Sequence, residues 1–269
     1  MITVVDSQQD PRLDPFRWRD RQLASKLDRL ETVGAGLFVA EGDLVVQRAI
    51  AAGCTPVALL CEDTMGAAFE QQLKDVAIYI GSEDLRREVT GLGVPLKAVG
   101  LFRRPGLIDP AALIRSSQRI VVAEALDNPT NLGAIIRSAT ALGWEGLLLT
   151  EGSADPLARR ALRVSMGTGL QLAFARHENS VELHEMLQAN NCITVALTPH
   201  KDAQDINATS FPPEQKIALL LGSERDGLTT QVLARAHHQL RIPMFDNTDS
   251  LNVAAAAAIA LFALGPSPK

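Results

Sequence analysis

Three short polar clusters hold the residue types from which a binding or catalytic site could be built, and each follows an apolar run that reads as a strand. In LDNPTNLGAIIRSATALG (126–143), a turn of Asn128, Pro129 and Asn131 leads into a helix near Leu132. Gly133 there allows close backbone approach, and Arg137 follows further along the helix. Taken alone, this is a capped helix with a surface arginine. In LLLGSERDGLT (219–229), a buried strand runs into Gly222, and Glu224, Arg225 and Asp226 sit in a loop closed by Gly227. Such a loop can turn backbone groups toward a ligand while a carboxylate orients it, but an ordinary charged turn has the same composition. In LRIPMFDNTDSLNVAAAAAIA (240–260), a short strand ends at Pro243 and a polar loop holds Asp246, Asn247, Asp249 and Ser250. Asn252 then stands at the mouth of a helix, where free amides beside hydroxyl and amide groups can cradle a polar ligand. A plain Ser or Asp N-cap accounts for the same residues. All three clusters fall at the strand ends where open α/β sheets bind ligands.

Several chemistries are absent. His177, His184, His200, His237 and His238 show no metal-ligand spacing, so no metal is expected. Gly167-Thr168-Gly169 lacks the third glycine and the strand–turn–helix setting of a dinucleotide fingerprint, which argues against a nicotinamide-dependent oxidoreductase. There is no nucleophile elbow and no Walker loop. Cys54, Cys61 and Cys192 form no C-x-x-C pair and leave one over, which suits reduced thiols and a cytoplasmic setting. The start, MITVVDSQQDPRLD, has neither the basic residues nor the apolar run of a signal peptide. The longest apolar stretch, Leu251 to Leu264, falls short of the roughly 20 residues that span a bilayer. A net charge of −5 argues against a generally basic surface while leaving room for a local basic patch.

The elements that must position these clusters follow from the apolar pattern. With 46% hydrophobic and 21% charged residues over 269 positions, the chain can bury one large core or two ordinary ones. Its first part has strand-like runs at Leu37–Ala40, Pro56–Cys61 and Val76–Ile80, with a helix across EGDLVVQRAIAAG. Arg12 to Glu31, rich in arginine, reads as an amphipathic helix, either solvated or touching RNA. FRRPGLIDP (102–110) reads as linker sequence. Beyond it, strands at IVVAEAL, GLLLT, Leu170–Phe174, CITVAL, KIALLLG and LRIPM alternate with helices at Leu132–Leu142 and Pro156–Val164, from Val181, after Leu228 and from Leu251. That alternation predicts an α/β domain with a mostly parallel sheet covered on both faces.

Taken together and in this order, the three clusters resemble the three signature motifs of the SpoU (TrmH-like) family of RNA 2'-O-methyltransferases, in the SPOUT superfamily. Asn131, Gly133 and Arg137 match the first, and Gly222, Glu224, Gly227 and Leu228 the second. Ile242, Pro243, Met244, Ser250, Leu251, Asn252 and Val253 match the third. The intervening RVSMGTG resembles a shorter family element through Ser165 and Gly167, with Thr168 where alanine is usual. GLFVAEGDLVVQRAIAAG resembles the start of the family's L30e-like substrate-binding domain.

The resemblance implies a division into an RNA-binding domain (1–104), a linker (105–117) and a trefoil-knotted methyltransferase domain (118–269) acting as a homodimer. It implies S-adenosylmethionine bound by Thr198, Gly222, Ile242, Met244 and Leu251, largely through main-chain groups. Asn131 and Arg137 would face the RNA ribose, and Glu224, Ser250 and Asn252 would shape the site. A separate first domain offers a second surface for a folded target, which favours ribosomal over transfer RNA. The alternative is a catalytically inactive RNA-binding protein of the same fold.

Overall fold

Apolar runs separated by helical segments assemble into two sheets. The computed structural model describes residues 2–24, 36–245 and 250–266. The chain separates into two units, one comprising residues up to Gly106 together with Leu157–Leu170, the other Leu107–Pro156 together with residues from Gln171 onward.

The first unit has a five-stranded sheet of β1 (Ile2–Val4), β2 (Leu37–Glu41), β3 (Pro56–Cys61), β4 (Ala77–Ile80) and β5 (Ala98–Arg103), in the order β1-β4-β3-β5-β2. β1 and β3 run parallel to β4, while β5 is antiparallel to both β3 and β2. One face packs Val39, Leu60, Val99 and Leu101 against Leu13, Phe16, Leu23, Leu85 and Val89.

Three expectations change here. The arginine-rich opening is not one helix: a turn at Pro11–Leu13 is followed by short helices Asp14–Arg17 and Asp20–Leu23, with Trp18 and Arg19 extended between them. The first helix ends at Trp18, whose ψ of 139° breaks the helical path, and the carbonyls of Phe16 and Trp18 each accept a hydrogen bond from Arg159 Nη1 at 3.0 Å. Lys26, Arg29 and Glu31 of the same stretch lie outside the described residues. Phe102 and Arg103, read as linker, belong to β5. Within 105–117, Asp109 caps a helix at Pro110–Ser116, its carboxylate accepting from the Ala112 amide at 3.0 Å.

Leu157–Leu170, which the sequence groups with the methyltransferase domain, packs in the first unit. The anchor is Glu41 at the end of β2, whose side chain is 1% exposed. Its carboxylate takes Arg159 Nε at 2.6 Å and also pairs with Arg163, both on the helix Arg159–Val164.

The second unit's sheet is built from β6 (Arg119–Ala123), β7 (Gly146–Leu149), β8 (Ala173–Arg176), β9 (Ile193–Leu197), β10 (Gln204–Asp205), β11 (Ile217–Leu221) and β12 (His238–Arg241). These seven strands are all parallel, in the order β10-β12-β9-β11-β6-β7-β8. Strands buried on both faces need apolar side chains at odd and even positions alike, which is why IVVA and IALLL are unbroken apolar runs. Val121, Ala123, Leu219 and Leu221 face the helices Pro129–Ala141 and Val253–Leu264, while Ile120, Val122, Ala218 and Leu220 face helices Pro110–Ser116, Ser180–Ala189 and Thr230–Arg235. The run expected as strand LRIPM is shifted: pairing with β9 ends near Arg241, and Ile242–Met244 leave the sheet.

Candidate active site

The strand order puts the carboxyl ends of β9, β11 and β12 side by side, and a cavity of about 570 Å³ opens there. Leu197 and Leu221 end their strands at its wall, and Ile242 enters it directly after β12.

One wall is the loop after β11, folded back on itself. Ser223 and Gly227 exchange backbone hydrogen bonds at 3.2 and 3.1 Å, and the Ser223 hydroxyl accepts from the Asp226 amide at 3.1 Å. This closure needs both glycines. Gly227 has φ of +70°, and a Cβ on Gly222 would fall 2.1 Å from Gly227 C and Leu228 N.

The helix Val253–Leu264 supplies the opposite wall. Asn252 is its N-cap, with Oδ1 accepting from the amides of Ala254 and Ala255 at 2.9 and 3.3 Å. Because Oδ1 is committed, Nδ2 must point away, and it donates to Asn131 Oδ1 at 3.1 Å. That in turn orients Asn131, whose Nδ2 donates to Glu224 Oε1 at 2.7 Å. A directed chain of hydrogen bonds thus runs from a helix terminus through two amides to a carboxylate at the cavity. Asn131 sits in the first turn of the helix Pro129–Ala141, inside the helix rather than in the turn before it, since Asn128 caps this helix with Pro129 at its start.

Every residue expected to touch the donor lines this cavity: Thr198, Gly222, Ile242, Met244 and Leu251. So do Glu224, Ser250 and Asn252, while Asn131 reaches it through its two hydrogen bonds. Thr198 is fixed by its amide donating to Leu240 O at 2.9 Å and by its hydroxyl accepting from the His200 amide at 3.3 Å. Arg137 is not brought together with them. It is exposed and lies six residues beyond Asn131, about 9 Å along the helix and about 120° around it. Asp246, Asn247 and Asp249 lie outside the described residues. Pro199, His200, Leu233 and Ala256 also line the cavity and were not singled out from the sequence. The first two follow a strand end, a position that would have found them; the others are wall residues with no polar signal. No cluster with metal-ligating composition occurs among the described residues.

Residues 118–262 match the SpoU rRNA Methylase family. A tRNA/rRNA methyltransferase of Mycobacterium tuberculosis, itself uncharacterized, is 38% identical over 268 residues, covering 97% of this chain and 91% of the relative. The 23S rRNA (guanosine(2553)-2'-O)-methyltransferase of Bacillus subtilis is 25% identical over 245 residues, covering 91% of this chain and 93% of its own. The crystal structure of the AdoMet-bound rRNA methyltransferase from Sinorhizobium meliloti superposes with a TM-score of 0.80 at 27% identity, covering 97% of each chain. On the match over more than half of its length, and on a relative that it parallels almost end to end, this chain belongs to the SpoU rRNA methylase family.

Proposed function

We propose that this chain transfers a methyl group from S-adenosylmethionine to a ribose 2'-hydroxyl of ribosomal RNA. The observation that carries the reading is the directed chain Asn252–Asn131–Glu224 at a cavity on the sheet's carboxyl edge. The named activity of the Bacillus subtilis relative supports both the ribose and the ribosomal part.

The cavity suits the donor. Its volume of about 570 Å³ lies within the range of roughly 300–1,000 Å³ usual for small-molecule sites. Leu197, Leu221, Ile242 and Val253 offer apolar contact, and Thr198, Ser250 and Asn252 offer polar groups, as a nucleoside with an amino-acid arm requires. When bound, S-adenosylmethionine supplies an already electrophilic sulfonium methyl. The chain's own task is then to hold the 2'-oxygen in line and ease departure of its proton. Alignment of this kind is worth about 7–11 kcal/mol in well-oriented cases. Glu224 has Oε1 held by Asn131, and Oε2, which has no hydrogen bond among the described residues, accepts from a ribose hydroxyl in this reading. Arg137 orients the 2'-oxygen and a neighbouring phosphate through its planar fork and stabilises developing negative charge rather than accepting the proton.

The working form in this reading is a cytoplasmic homodimer. Ile259 and Phe262, 42% and 75% exposed on the helix Val253–Leu264, give it an apolar contact. Arg137, outside its own chain's cavity, can then serve the site of a second copy. The trefoil knot belongs to the same reading, supported by the insertion of β11 between β9 and β6 and the position of β12 beyond β9. The first unit is the RNA-binding domain of this scheme, supported by its separate α/β sheet. Mapping 2'-O-methyl sites in total RNA with and without the gene tests the substrate. Loss of a single ribosomal site is expected; loss confined to transfer RNA would move the target, and no loss at all would reject the activity.

A further inference from the structure

Glu124 lies directly after β6, is 4% exposed and is not among the residues lining the cavity. It nevertheless grips both ends of the loop that forms one cavity wall. On the near side its amide donates to Leu221 O at 2.8 Å, at the residue before Gly222. On the far side its carboxylate accepts from Thr229, with the amide at 2.9 Å on Oε2 and the hydroxyl at 3.0 Å on Oε1. Thr229 follows Leu228 and caps the helix Thr230–Arg235, its hydroxyl also accepting from the Val232 amide at 3.4 Å. A buried carboxylate is costly unless hydrogen-bonded, and among the described residues Thr229 alone supplies its side-chain bonds. Between these anchors the loop is shaped by the Ser223–Gly227 backbone bonds, by the Ser223 hydroxyl accepting from the Asp226 amide and by Asn131 donating to Glu224.

We infer that Glu124 is a positioning residue for the donor: by fixing Leu221 and Thr229 together it sets the span of the loop Gly222–Leu228 and hence the affinity for S-adenosylmethionine. This rests on the donor assignment above and extends it to a residue that never touches the ligand. Carboxylate geometry matters because both Thr229 groups are donors, which a single acceptor oxygen cannot serve at once with the same span. The Thr229 hydroxyl therefore takes part as donor to Glu124 and as acceptor for the helix.

The test is calorimetric titration of S-adenosylmethionine into the full-length protein and its Glu124→Ala, Glu124→Gln, Thr229→Val and Thr229→Ser variants. Filter retention of total cellular RNA and a thermal melt accompany each variant. The inference expects Kd for the donor to rise tenfold or more in Glu124→Ala and severalfold in Glu124→Gln and Thr229→Val. Thr229→Ser, which keeps the hydroxyl, should return to within twofold of the parent, and RNA retention should stay within twofold throughout. If Glu124→Ala fails to fold, Glu124→Gln and Thr229→Val carry the test. Unchanged donor affinity in a folded variant, or an equal loss of donor and RNA binding, overturns the positioning role alone. A parent protein that takes up no S-adenosylmethionine overturns the donor assignment as well, so the two failures are distinct.

Discussion

The molecule holds two polar networks of opposite construction, one in each unit. In the first unit, Glu41 is buried against Arg159 and Arg163, a cluster of full charges. In the second, two neutral amides connect a helix terminus to Glu224 at the edge of a cavity. The charged cluster is the stronger electrostatic feature, yet none of its residues lines the cavity described above, and its groups engage one another and the carbonyls of Phe16 and Trp18. The amide network is weaker in charge but leaves the second Glu224 oxygen without a hydrogen bond among the described residues, beside a cavity. Functional capacity follows the unspent hydrogen-bonding group, not the magnitude of the charge.

If that contrast is sound, breaking the charged network should cost stability and leave donor binding intact. Glu41→Ala strands Arg159, whose side chain is 13% exposed, and removal of one partner from a buried pair costs about 3–5 kcal/mol. The two tryptophans, Trp18 and Trp144, fall one in each unit, so each unit has its own reporter. Urea unfolding followed by Trp18 fluorescence in a Trp144→Phe background should show the loss, while calorimetry shows donor affinity unchanged. A large loss of donor affinity in a folded Glu41→Ala protein would dissolve the distinction.

The amide network should respond the other way. Asn131→Ala unhooks Glu224 and leaves Asn252 Nδ2 without its acceptor. Removing a preorganised polar group of this kind costs about 10²–10³ in turnover, or roughly 3–4 kcal/mol of barrier. Single-turnover methylation of total RNA should record that loss with the unfolding midpoint of the second unit nearly unmoved. Equal losses in rate and stability would make Asn131 a structural residue.

How much of this was legible depends on the range of the interactions involved. The seven-stranded parallel sheet is a local signal repeated: IVVA and IALLL are apolar without alternation because both faces are covered, and each such run became a strand. Much of the cavity wall was legible because it comes from a strand end at Thr198 and from the second and third ordered motifs. What could not be read were long-range pairings. Nothing local to Glu41 announces Arg159, 118 residues away, and so the placement of Leu157–Leu170 in the first unit was not foreseen. Nor does the spacing of Asn131 and Arg137 suggest that they share a site, since six residues put them on different sides of one helix. Glu124 was overlooked for a related reason: a lone acid after an apolar run looks like a strand end, and its partner is 105 residues on.

Gly222→Ala probes the cavity wall itself. The added Cβ would meet backbone atoms of Gly227 and Leu228 at 2.1 Å, and backbone cannot swing aside as a side-chain tip can. Overpacking of this order costs about 1–3 kcal/mol, which should appear as weaker donor binding more than as unfolding, because the loop can open away from its own closure. Calorimetry set against the Trp144 unfolding curve separates the two; unfolding of the second unit with undiminished donor affinity would show that the wall and the site are independent.

The smallest effect concerns a third kind of buried polar group, a neutral one. His184 is 2% exposed and its Nε2 lies 2.9 Å from the carbonyl of Arg235, so Nε2 donates and Nδ1 is a bare acceptor, unpartnered among the described residues. Protonation would add a buried N–H at Nδ1. Burial therefore lowers the pKa below its ordinary 6.5, with the Arg235 carbonyl opposing and the charges of His237 and Arg235 adding to the fall. A base with a depressed folded-state pKa binds its proton first in the unfolded chain. Stability is thus whole above 6.5 and declines as pH drops from there through the folded-state pKa. The decline belongs to the second unit, so Trp144 fluorescence in a Trp18→Phe background should report it between pH 7 and 5, and His184→Gln should flatten it. All five histidines fall in the second unit, so the charged cluster around Glu41 contains no imidazole. Should the Trp18 transition track pH as steeply as the Trp144 transition, paired and neutral burial would not differ as these two units imply.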